Sequence, residues 1–159
     1  MEVAIISDSH YSTDRVRQLF NHLEAKGIRH LIHAGDFIGN GIDGIFKDYP
    51  SIKAWVARGN CDSQSDIVEA VNEMDHVTVG DIVRFELEGV SFLLAHIPGM
   101  AFSALDKAHA DVLIHGHTHM PRIEKFNKTM VLNPGSIMDG DGYMILEVPE
   151  LEVQRYFNY

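Results

Sequence analysis

The segment Val112–His119, which reads VLIHGHTH, joins a short apolar run to a histidine-rich end. An apolar run of this length bounded by a glycine predicts a short, buried strand. The Gly-His-x-His group would lie just beyond the carboxyl end of that strand, with His117 and His119 two residues apart. Imidazole nitrogens are frequent ligands of transition metals. Taken alone, the segment is equally consistent with a metal site and with histidines packed at a strand end.

Four other apolar runs also end in a carboxylate, a carboxamide or an imidazole. They are Ile5–His10, Leu31–Asp36, Trp55–Asn60 and Phe92–His96. Each motif alone has a simpler explanation, because Gly-Asp and Gly-Asn are ordinary turn dipeptides and a lone strand-end histidine is usually packed. Five such motifs together suggest several strands that stop at one edge of a sheet. Their polar side chains would then converge on one place, which predicts a two-metal site of the kind found in hydrolases.

The composition is consistent with one domain spanning residues 1–159. A chain of this size buries roughly 68–70% of its unfolded surface, enough for a continuous core without disulfides. The single cysteine excludes an internal disulfide, and we find neither a signal-like segment nor a membrane-spanning apolar stretch. We therefore expect a cytoplasmic protein with no membrane contact. The net charge of −10 argues against binding of long nucleic acid and fits a site in which metal ions supply positive charge.

Strand and helix signals alternate in the first half of the chain. This alternation predicts parallel strands joined by crossovers, with a ligand crevice at the carboxyl ends of the strands. An apolar spacing of i, i+3, i+4 and i+7 marks a first helix that Ser12 or Thr13 caps and Gly27 ends. The expected strands are Val3–Ser7, His30–His33 and Ile52–Ala57, and the other expected helices are Ile42–Lys47 and Ser65–Asn72.

After Asp75 the pattern changes to strands joined by tight turns, with one helix at Phe102–His109. Two-residue turns are expected at Glu88-Gly89, Asn127-Lys128 and Pro149-Glu150. The strands they join are Val83–Leu87 with Val90–Ala95, Arg122–Phe126 with Thr129–Leu132, and Met144–Val148 with Leu151–Phe157. An α/β fold accommodates both halves of the chain. We expect a four-layer α/β/β/α sandwich of two mixed sheets flanked by helices.

The candidate ligands form a mixed oxygen and nitrogen set. Asp8 and His10 are two residues apart, so on an extended backbone they would face the same way and chelate one ion. Asp36 follows Gly35, which allows close backbone approach, and its two oxygens make it the best candidate to bridge two ions. The remaining candidates are Asn60, His96, His117 and His119. This set suits Mn, Fe, Zn, Co or Ni better than Ca, and it lacks the thiolates of a structural zinc site.

The ordered motifs Asp-x-His, Gly-Asp, Gly-Asn-x-Asp, His and Gly-His-x-His resemble those of the calcineurin-like metallophosphoesterases. The short chain and the sequence of Gly59–Asp62 resemble the small single-domain YfcE-type phosphodiesterase branch, over residues 3–136. The resemblance implies the four-layer sandwich. It also implies two coordination shells that share Asp36: Asp8, His10, Asp36 and His119 in one, and Asp36, Asn60, His96 and His117 in the other.

The function implied by this resemblance is a metal-dependent phosphoesterase, most simply a phosphodiesterase. A hydroxide that bridges two divalent ions would attack phosphorus, because metal binding brings the pKa of water from about 15.7 toward about 7. Manganese is the preferred ion, with iron, zinc, cobalt or nickel as alternatives. The substrate would be a small phosphodiester, for instance a nucleotide derivative, and a homo-oligomer stays open. The catalytic candidates are Asp36, Asn60, Cys61 and Asp62.

Three residues beside the ligands depart from the family pattern. Cys61 stands where many relatives have a histidine, and because cysteine is a poorer proton donor we hypothesise that diesters are favoured over alkyl monoesters. Its alternative is a small buried hydrophobe. Tyr11 and Ile97 stand where glycine is common. Tyr11 would either stack on a base or aryl group or lie on the surface beside the site, whereas Ile97 adds bulk. Substrate specificity is expected in the loops around Tyr11, Asn40, Ser63 and Pro98.

Further polar residues have two interpretations each. His33 and His115 either orient a ligand or pack at a strand end, and Asp62 and Arg58 either contact phosphate or Cys61 or are loop charges. Residues 133–136 predict a turn that closes over the site without a catalytic role. The competing hypothesis is a protein of a different class. The fold has been reused as a scaffold in the retromer subunit that resembles this branch and binds partner proteins.

Overall fold

The computed structural model of the protein describes residues 1–39, 41–63 and 66–157. Asn40 in a predicted specificity loop and Ser65 at a predicted helix start lie outside these ranges. The helices are α1 (Thr13–Lys26), α2 (Ile42–Asp48), α3 (Asp66–Asn72) and α4 (Pro98–Lys107). The strands are β1 (Glu2–Ile6), β2 (His30–His33), β3 (Lys53–Ala57), β4 (Val77–Gly80), β5 (Ile82–Leu87), β6 (Val90–Ala95), β7 (Val112–Ile114), β8 (Arg122–Phe126), β9 (Thr129–Asn133), β10 (Tyr143–Glu147) and β11 (Glu152–Tyr156).

The first sheet has the strand order β11-β10-β1-β2-β3-β4. Strands β1 to β4 pair in parallel, as the alternation of strand and helix predicts, and β10 pairs antiparallel with β1. Helix α1 buries the predicted apolar stripe and ends at Gly27, whose φ of 75° suits glycine. The prediction of a side-chain cap is wrong: Ser12 is the N-cap residue but makes no capping hydrogen bond.

Strand β4 was missed by the sequence analysis. Its sequence, VTVG, has only four residues, and only Val77 among them is buried. A segment so short and so exposed has no clear apolar periodicity, so its pairing with β3 decides its conformation. The first sheet therefore has one parallel strand more than the pattern of apolar runs predicts.

The second sheet has the order β5-β6-β7-β9-β8. Its two predicted hairpins are confirmed, with left-handed backbone at Glu88 and Gly89 in one turn and at Asn127 in the other. The third hairpin belongs to the first sheet, and its turn spans residues 148–151 rather than the predicted two. Helix α4 starts four residues before the predicted Phe102, because Pro98 in its first turn has a φ suited to a helix start.

Three apolar clusters separate the four layers. One lies between the first sheet and helices α1 to α3, one lies between the two sheets, and one lies between the second sheet and α4. Alternate residues of β1 supply the first two clusters: Ala4 and Ile6 face the helices, whereas Val3 and Ile5 face the second sheet. Between the sheets, Phe85 stacks on Trp55 with ring centroids 4.3 Å apart. The predicted four-layer α/β/β/α sandwich is confirmed.

The loops that follow five parallel strands carry all the candidate ligands. Strands β1, β2 and β3 run parallel in the first sheet, and β6 and β7 run parallel in the second. The edge of the sandwich where these five strands end is called the carboxyl edge below, and the edge where they begin is called the amino edge. Among the described residues, no helix has both the length and the apolar character needed to cross a bilayer.

Candidate metal centre at the carboxyl edge

The five loops at the carboxyl edge bring the candidate ligands into one cluster. Potential ligand atoms of Asp8, His10 and His119 all lie within 4.8 Å of one another, and so do those of Asp8, Asp36 and His96. The Oδ1 atom of Asn60 adds two contacts, at 3.1 Å from Nε2 of His96 and 2.9 Å from Nδ1 of His117. The residues named from sequence therefore meet, although they come from both sheets.

Asp36 occupies the middle of the cluster. Its Oδ2 atom lies 3.7 Å from Nε2 of His10 and 3.3 Å from Nε2 of His96. Its Oδ1 atom accepts a hydrogen bond of 2.8 Å from the backbone amide of Cys61. His10 was expected in one coordination shell and His96 in the other, so Asp36 stands between the two groups. This is the position that a bridging carboxylate requires.

Acceptor atoms face one another around His96. Its Nδ1 lies 2.7 Å from the carbonyl oxygen of Ala34, which only accepts hydrogen bonds, so Nδ1 carries the ring proton. In the neutral ring, Nε2 then presents a lone pair toward Oδ2 of Asp36 at 3.3 Å and Oδ1 of Asn60 at 3.1 Å. Three acceptors that converge in this way repel each other unless a cation or a proton lies among them.

Asp8 gives a second sign that the site is built for a cation. The residue is completely buried, and its Oδ2 accepts hydrogen bonds from the Ser7 hydroxyl and, at 3.1 Å, from the His117 amide. Its Oδ1 is buried without a hydrogen bond, although Nε2 of His119 lies 3.1 Å away. A buried carboxylate oxygen left this way is costly without a compensating charge. Together with the mixed oxygen and nitrogen donors, it fits divalent transition-metal ions.

The charges of these groups differ from those of free side chains. Burial raises the pKa of Asp36, but the hydrogen bond that Nε2 of His96 donates when its ring is protonated, and the bond from the Cys61 amide, outweigh burial and leave the pKa well below its usual range. Asp36 is therefore ionised at neutral pH, as a metal ligand must be. Burial lowers the pKa of His96, yet the bonds to Asp36 and Ala34 reverse this effect and leave its pKa raised. The surroundings of His96 thus favour a positive charge at this position.

The backbone of the ligand loops is left-handed at five candidate ligands. The φ angles are 50° at Asp8, 41° at His10, 54° at Asp36, 69° at His117 and 55° at His119. The backbone from Asp8 to His10 is therefore not extended, which was the condition for the two side chains to face the same way, yet their ligand atoms do meet. A non-glycine residue with left-handed backbone dihedrals destabilises the fold by about 1–2 kcal/mol, so the surrounding structure must hold these five residues in place.

Three glycines allow the strained loops to touch. A Cβ atom at Gly59 would lie 2.1 Å from Oδ1 of Asp36, and one at Gly116 would lie 2.0 Å from the Ser7 hydroxyl. At Gly35 it would lie 2.5 Å from Nδ1 of His96. Any larger residue at these positions would displace a candidate ligand or its hydrogen-bond partner. Glycine is therefore required here by close approach of side chains.

Asp62 is the residue that ties two of the loops together. It is buried, and its Oδ1 accepts from the amides of Phe37 and Ile38, each at 3.0 Å, while its Oδ2 accepts from the amide of Gly59 at 2.8 Å. Neither a phosphate contact nor a solvated loop charge describes this placement. Arg58, by contrast, is a loop charge that pairs with Asp81 at 2.9 Å.

The buried histidines beside the ligands have different roles. His33 bonds to the Ser9 hydroxyl at 2.9 Å and accepts from the Gly35 amide at 3.2 Å, so it connects two ligand loops. Burial, and then the nearby charge of His96, lower the pKa of His33 to about 3, which keeps it neutral. His115 contacts the Gly116 carbonyl and Asn133 instead. It packs at the end of its strand and does not orient a ligand.

The three residues that depart from the family pattern lie at the mouth of the site. Cys61 is exposed, and its sulfur belongs to a possible ligand group with His10 and Asp36, so the expectation of a buried hydrophobe is wrong. Partial desolvation and the Asp36 carboxylate raise the pKa of its thiol. Tyr11 is 78% exposed, consistent with a ring that lies beside the site. Ile97 is half-buried at the start of α4.

Sequence reasoning missed two residues that support the ligands. Asp139 places its Oδ2 2.6 Å from Nδ1 of His119. Ser136, which belongs to the turn predicted to close over the site, donates its hydroxyl proton to the backbone oxygen of Asp8 at 3.1 Å. The turn at residues 133–136 was recognised, but the acidic residue three positions beyond it was not. A search for carboxylates just after that turn would have found both Asp139 and Asp141 without showing which of them contacts His119.

A family model described as the calcineurin-like phosphoesterase superfamily domain matches residues 1–150. The chain belongs to this superfamily. Among curated members, a phosphodiesterase of Methanocaldococcus jannaschii is 26% identical over 145 residues, covering 85% of this chain and 83% of the relative. Phosphodiesterase YfcE of Escherichia coli is 28% identical over 153 residues, covering 86% of this chain and 79% of the relative. The resemblance stated from the motifs is confirmed.

Two solved structures have a fold similar to that of this chain. A structure characterised as that of a novel archaeal phosphodiesterase matches with a TM-score of 0.84 at 22% identity, over 98% of this chain and 99% of that one. Vps29 of Entamoeba histolytica, solved with zinc, matches with a TM-score of 0.68 at 19% identity, over 96% of this chain and 89% of that one. These similarities support the four-layer architecture.

Proposed function

We propose that this chain is a metal-dependent phosphodiesterase that hydrolyses one P–O bond of a small phosphodiester, with residues 1–159 as one catalytic domain. The observation that carries the proposal is the convergence of three acceptor atoms, Oδ2 of Asp36, Nε2 of His96 and Oδ1 of Asn60, on one place where a cation would stabilise them. Such a cluster lowers the stability of the folded protein, and bound divalent ions would compensate for the repulsion between its acceptor atoms. Membership of the phosphoesterase superfamily, with relatives named phosphodiesterase, supports the reaction class.

The candidate ligands fall into two sets that would each hold one divalent ion, manganese being preferred. Bound ions supply a hydroxide nucleophile at neutral pH and positive charge for the phosphate oxygens. Asp36 stands between the sets and would contact both ions. The first set is Asp8, His10, Asp36 and His119, and the second is Asp36, Asn60, His96 and His117.

The protein itself contributes position rather than acid–base chemistry. Left-handed backbone and tight glycine contacts fix the ligands before substrate arrives, so little reorganisation is needed during the reaction. The amide group of Asn60 lies 3.5 Å from the sulfur of Cys61, at the exposed side of the cluster. A thiol with a raised pKa is a poor proton donor to a leaving alkoxide, so diesters with good leaving groups are favoured over alkyl monoesters.

Exposed apolar residues next to the ligands are positioned to meet the ester groups of the substrate. Tyr11 follows His10 and is 78% exposed, and Met120 follows His119 and is 70% exposed. An aromatic or apolar ester group would cover this surface. Replacing Tyr11 with glycine should therefore raise the KM of an aryl diester more than that of an aliphatic diester, whereas an equal effect on both would exclude stacking.

Hydrolysis of a chromogenic phosphodiester by the Mn²⁺-reconstituted protein tests the proposal. Wild-type protein should show turnover that requires the added ion, and Asp36→Asn should remove it. Asp111→Asn is a matched control, because that carboxylate bonds to Ser91 at the amino edge and the same charge is lost. Turnover without metal, or full activity of Asp36→Asn, would overturn the proposal. A protein that binds no metal and shows no turnover would favour a scaffold that binds partner proteins.

A further inference from the structure

We infer that Asp139 is a positioning residue that fixes the ring of His119 for metal binding. The inference rests on the proposed function, because it concerns one of the candidate ligands. The Oδ2 atom of Asp139 lies 2.6 Å from Nδ1 of His119. A carboxylate only accepts hydrogen bonds, so Nδ1 must carry the proton. The lone pair of His119 is then on Nε2, which lies 3.1 Å from the unbonded Oδ1 of Asp8.

The contact between Asp139 and His119 fixes the orientation of the imidazole ring. Rotation of His119 about its side-chain bonds is restrained at one nitrogen by Asp139, and the other nitrogen points into the cluster. His96 shows the same arrangement with a different partner, since its Nδ1 bonds to the Ala34 carbonyl and its Nε2 faces Asp36. A carboxylate partner restrains a histidine more strongly than a neutral carbonyl and raises the basicity of the ligating nitrogen.

The segment that carries Asp139 is itself held against the ligand loop of Asp8. The amides of Ile137 and Met138 donate to the carbonyl oxygens of Ser7 and Asp8, at 3.0 and 3.2 Å. The hydroxyl of Ser136 donates to the Asp8 carbonyl and accepts from the Asp139 amide at 3.2 Å. Asp139 is thus fixed relative to Asp8. Because Asp139 also holds His119, it sets the geometry between Asp8 and His119.

A side chain of α1 holds the same segment from the other side. The guanidinium of Arg15 donates to the carbonyl oxygens of Ile137 and Met138, at 2.8 and 3.2 Å. Asp141 accepts from the Ser136 amide at 2.9 Å and closes the turn. The backbone of the segment is held at both ends, so little further conformational entropy is lost when the Asp139 carboxylate bonds to His119. Replacing Asp139 should therefore change His119 without unfolding the segment.

Equilibrium binding of Mn²⁺ alone tests the role, with Asp139→Ala and Asp139→Asn compared with wild type. Loss of the carboxylate should weaken Mn²⁺ binding about 10–100-fold in the alanine variant. The asparagine variant keeps a neutral acceptor oxygen and should fall between alanine and wild type. Asp48→Ala is a matched control, because it removes an exposed carboxylate paired with Arg17 and should bind Mn²⁺ like wild type.

Nitrogen-15 NMR of the imidazole rings in the metal-free protein gives a readout that does not depend on activity. At mildly alkaline pH, His119 of the wild type should be protonated at Nδ1, and the alanine variant should show a mixture of tautomers. Unchanged Mn²⁺ affinity in the alanine variant, or an Nε2-protonated His119 in the wild type, would overturn the inference. If wild-type protein itself bound no Mn²⁺, the proposed function would fail with it. If the wild type turned over substrate and the Asp139 variants bound Mn²⁺ as tightly as the wild type, only the role of Asp139 would be excluded.

Discussion

The carboxyl and amino edges of the sandwich both use left-handed backbone, but for different reasons. At the amino edge, Glu88 and Gly89 adopt φ angles of 49° and 77° in a hairpin turn, and a Cβ at Gly89 would meet nothing within 4 Å. At the carboxyl edge, Asp36 has a φ of 54°, and a Cβ at the neighbouring loop's Gly59 would lie 2.1 Å from its side chain. At the amino edge the left-handed backbone follows from the local geometry of a hairpin turn. At the carboxyl edge it is imposed by contacts between loops that are distant in sequence.

Electrostatics differ between the two edges in the same way. Asp111 at the amino edge is half-exposed and bonds to the amide and hydroxyl of Ser91. Asp8 at the carboxyl edge is fully buried with one oxygen unbonded. The hydrogen bonds of Asp111 stabilise the folded protein, and this is enough to explain its placement. The placement of Asp8 is costly to the folded protein, which indicates that it is kept for binding.

Loss of Asp62 should have the largest effect on folding. Asp62→Ala leaves three amides of two ligand loops without an acceptor, so the free energy of unfolding should fall by about 3 kcal/mol or more. Asp111→Ala at the amino edge should cost only about 1 kcal/mol, because water can replace the carboxylate. Urea unfolding of both variants measures the difference. Equal losses would mean that the two edges are equally tolerant.

Gly59→Ala should be the most damaging glycine substitution for function. The added methyl group must displace Asp36, and misplacement of a ligand by about 1 Å can reduce activity about 100-fold. Gly89→Ala should leave activity unchanged and lower stability by about 1 kcal/mol, because its φ of 77° strains alanine in open space. Comparison of kcat/KM for the two variants decides the point. A Gly59→Ala protein with wild-type kcat/KM would show that the contact is not needed.

Asp8→Asn should separate stability from binding. Removing the buried charge should raise the stability of the metal-free protein by about 1 kcal/mol, because the unbonded Oδ1 no longer carries charge. Mn²⁺ at 100 times its Kd should stabilise the wild type by about 2.7 kcal/mol and should not stabilise the variant. Thermal unfolding with and without Mn²⁺ measures both effects. Equal Mn²⁺ stabilisation of the two proteins would exclude Asp8 as a ligand.

The smallest expected effect is the pH dependence contributed by Asp111. Hydrogen bonds from the Ser91 hydroxyl and amide hold the pKa of Asp111 below its usual value. A depressed pKa stabilises the folded protein above the unfolded pKa, about 3.9, and the contribution is lost as pH falls through the folded pKa. The stability difference between wild type and Asp111→Asn should therefore be present at neutral pH and shrink in acid. A difference that grows on acidification would reverse the assigned sign.

Local sequence patterns predicted most of the fold because they determine most of its elements. The α1 stripe, the hairpin turns at Glu88-Gly89 and Asn127-Lys128, and the apolar runs before the ligands all appear where they were expected. Two of the misses share one cause. Strand β4 depends on pairing with β3, and the left-handed backbone of Asp8 and His10 depends on contacts with the loop after β2. Neither leaves a signal in the neighbouring sequence.

The candidate site shows the same division. Its ligand types and order were readable, because metal coordination needs particular side chains at strand ends. The support was not readable, since Asp62 and Asp139 act on residues 24 to 25 and 20 positions away along the chain. Only the three-dimensional structure reveals which of the many acidic residues carry out this role.

Anomalous diffraction from crystals of the Mn²⁺-loaded protein tests most directly whether the carboxyl edge is a two-metal centre joined at Asp36. Two anomalous peaks about 3.5–4 Å apart are expected, with Asp36 in contact with both and His119 in contact with only one. A single peak that Asp36 does not touch, or no peak at the carboxyl edge, would contradict this interpretation of the site.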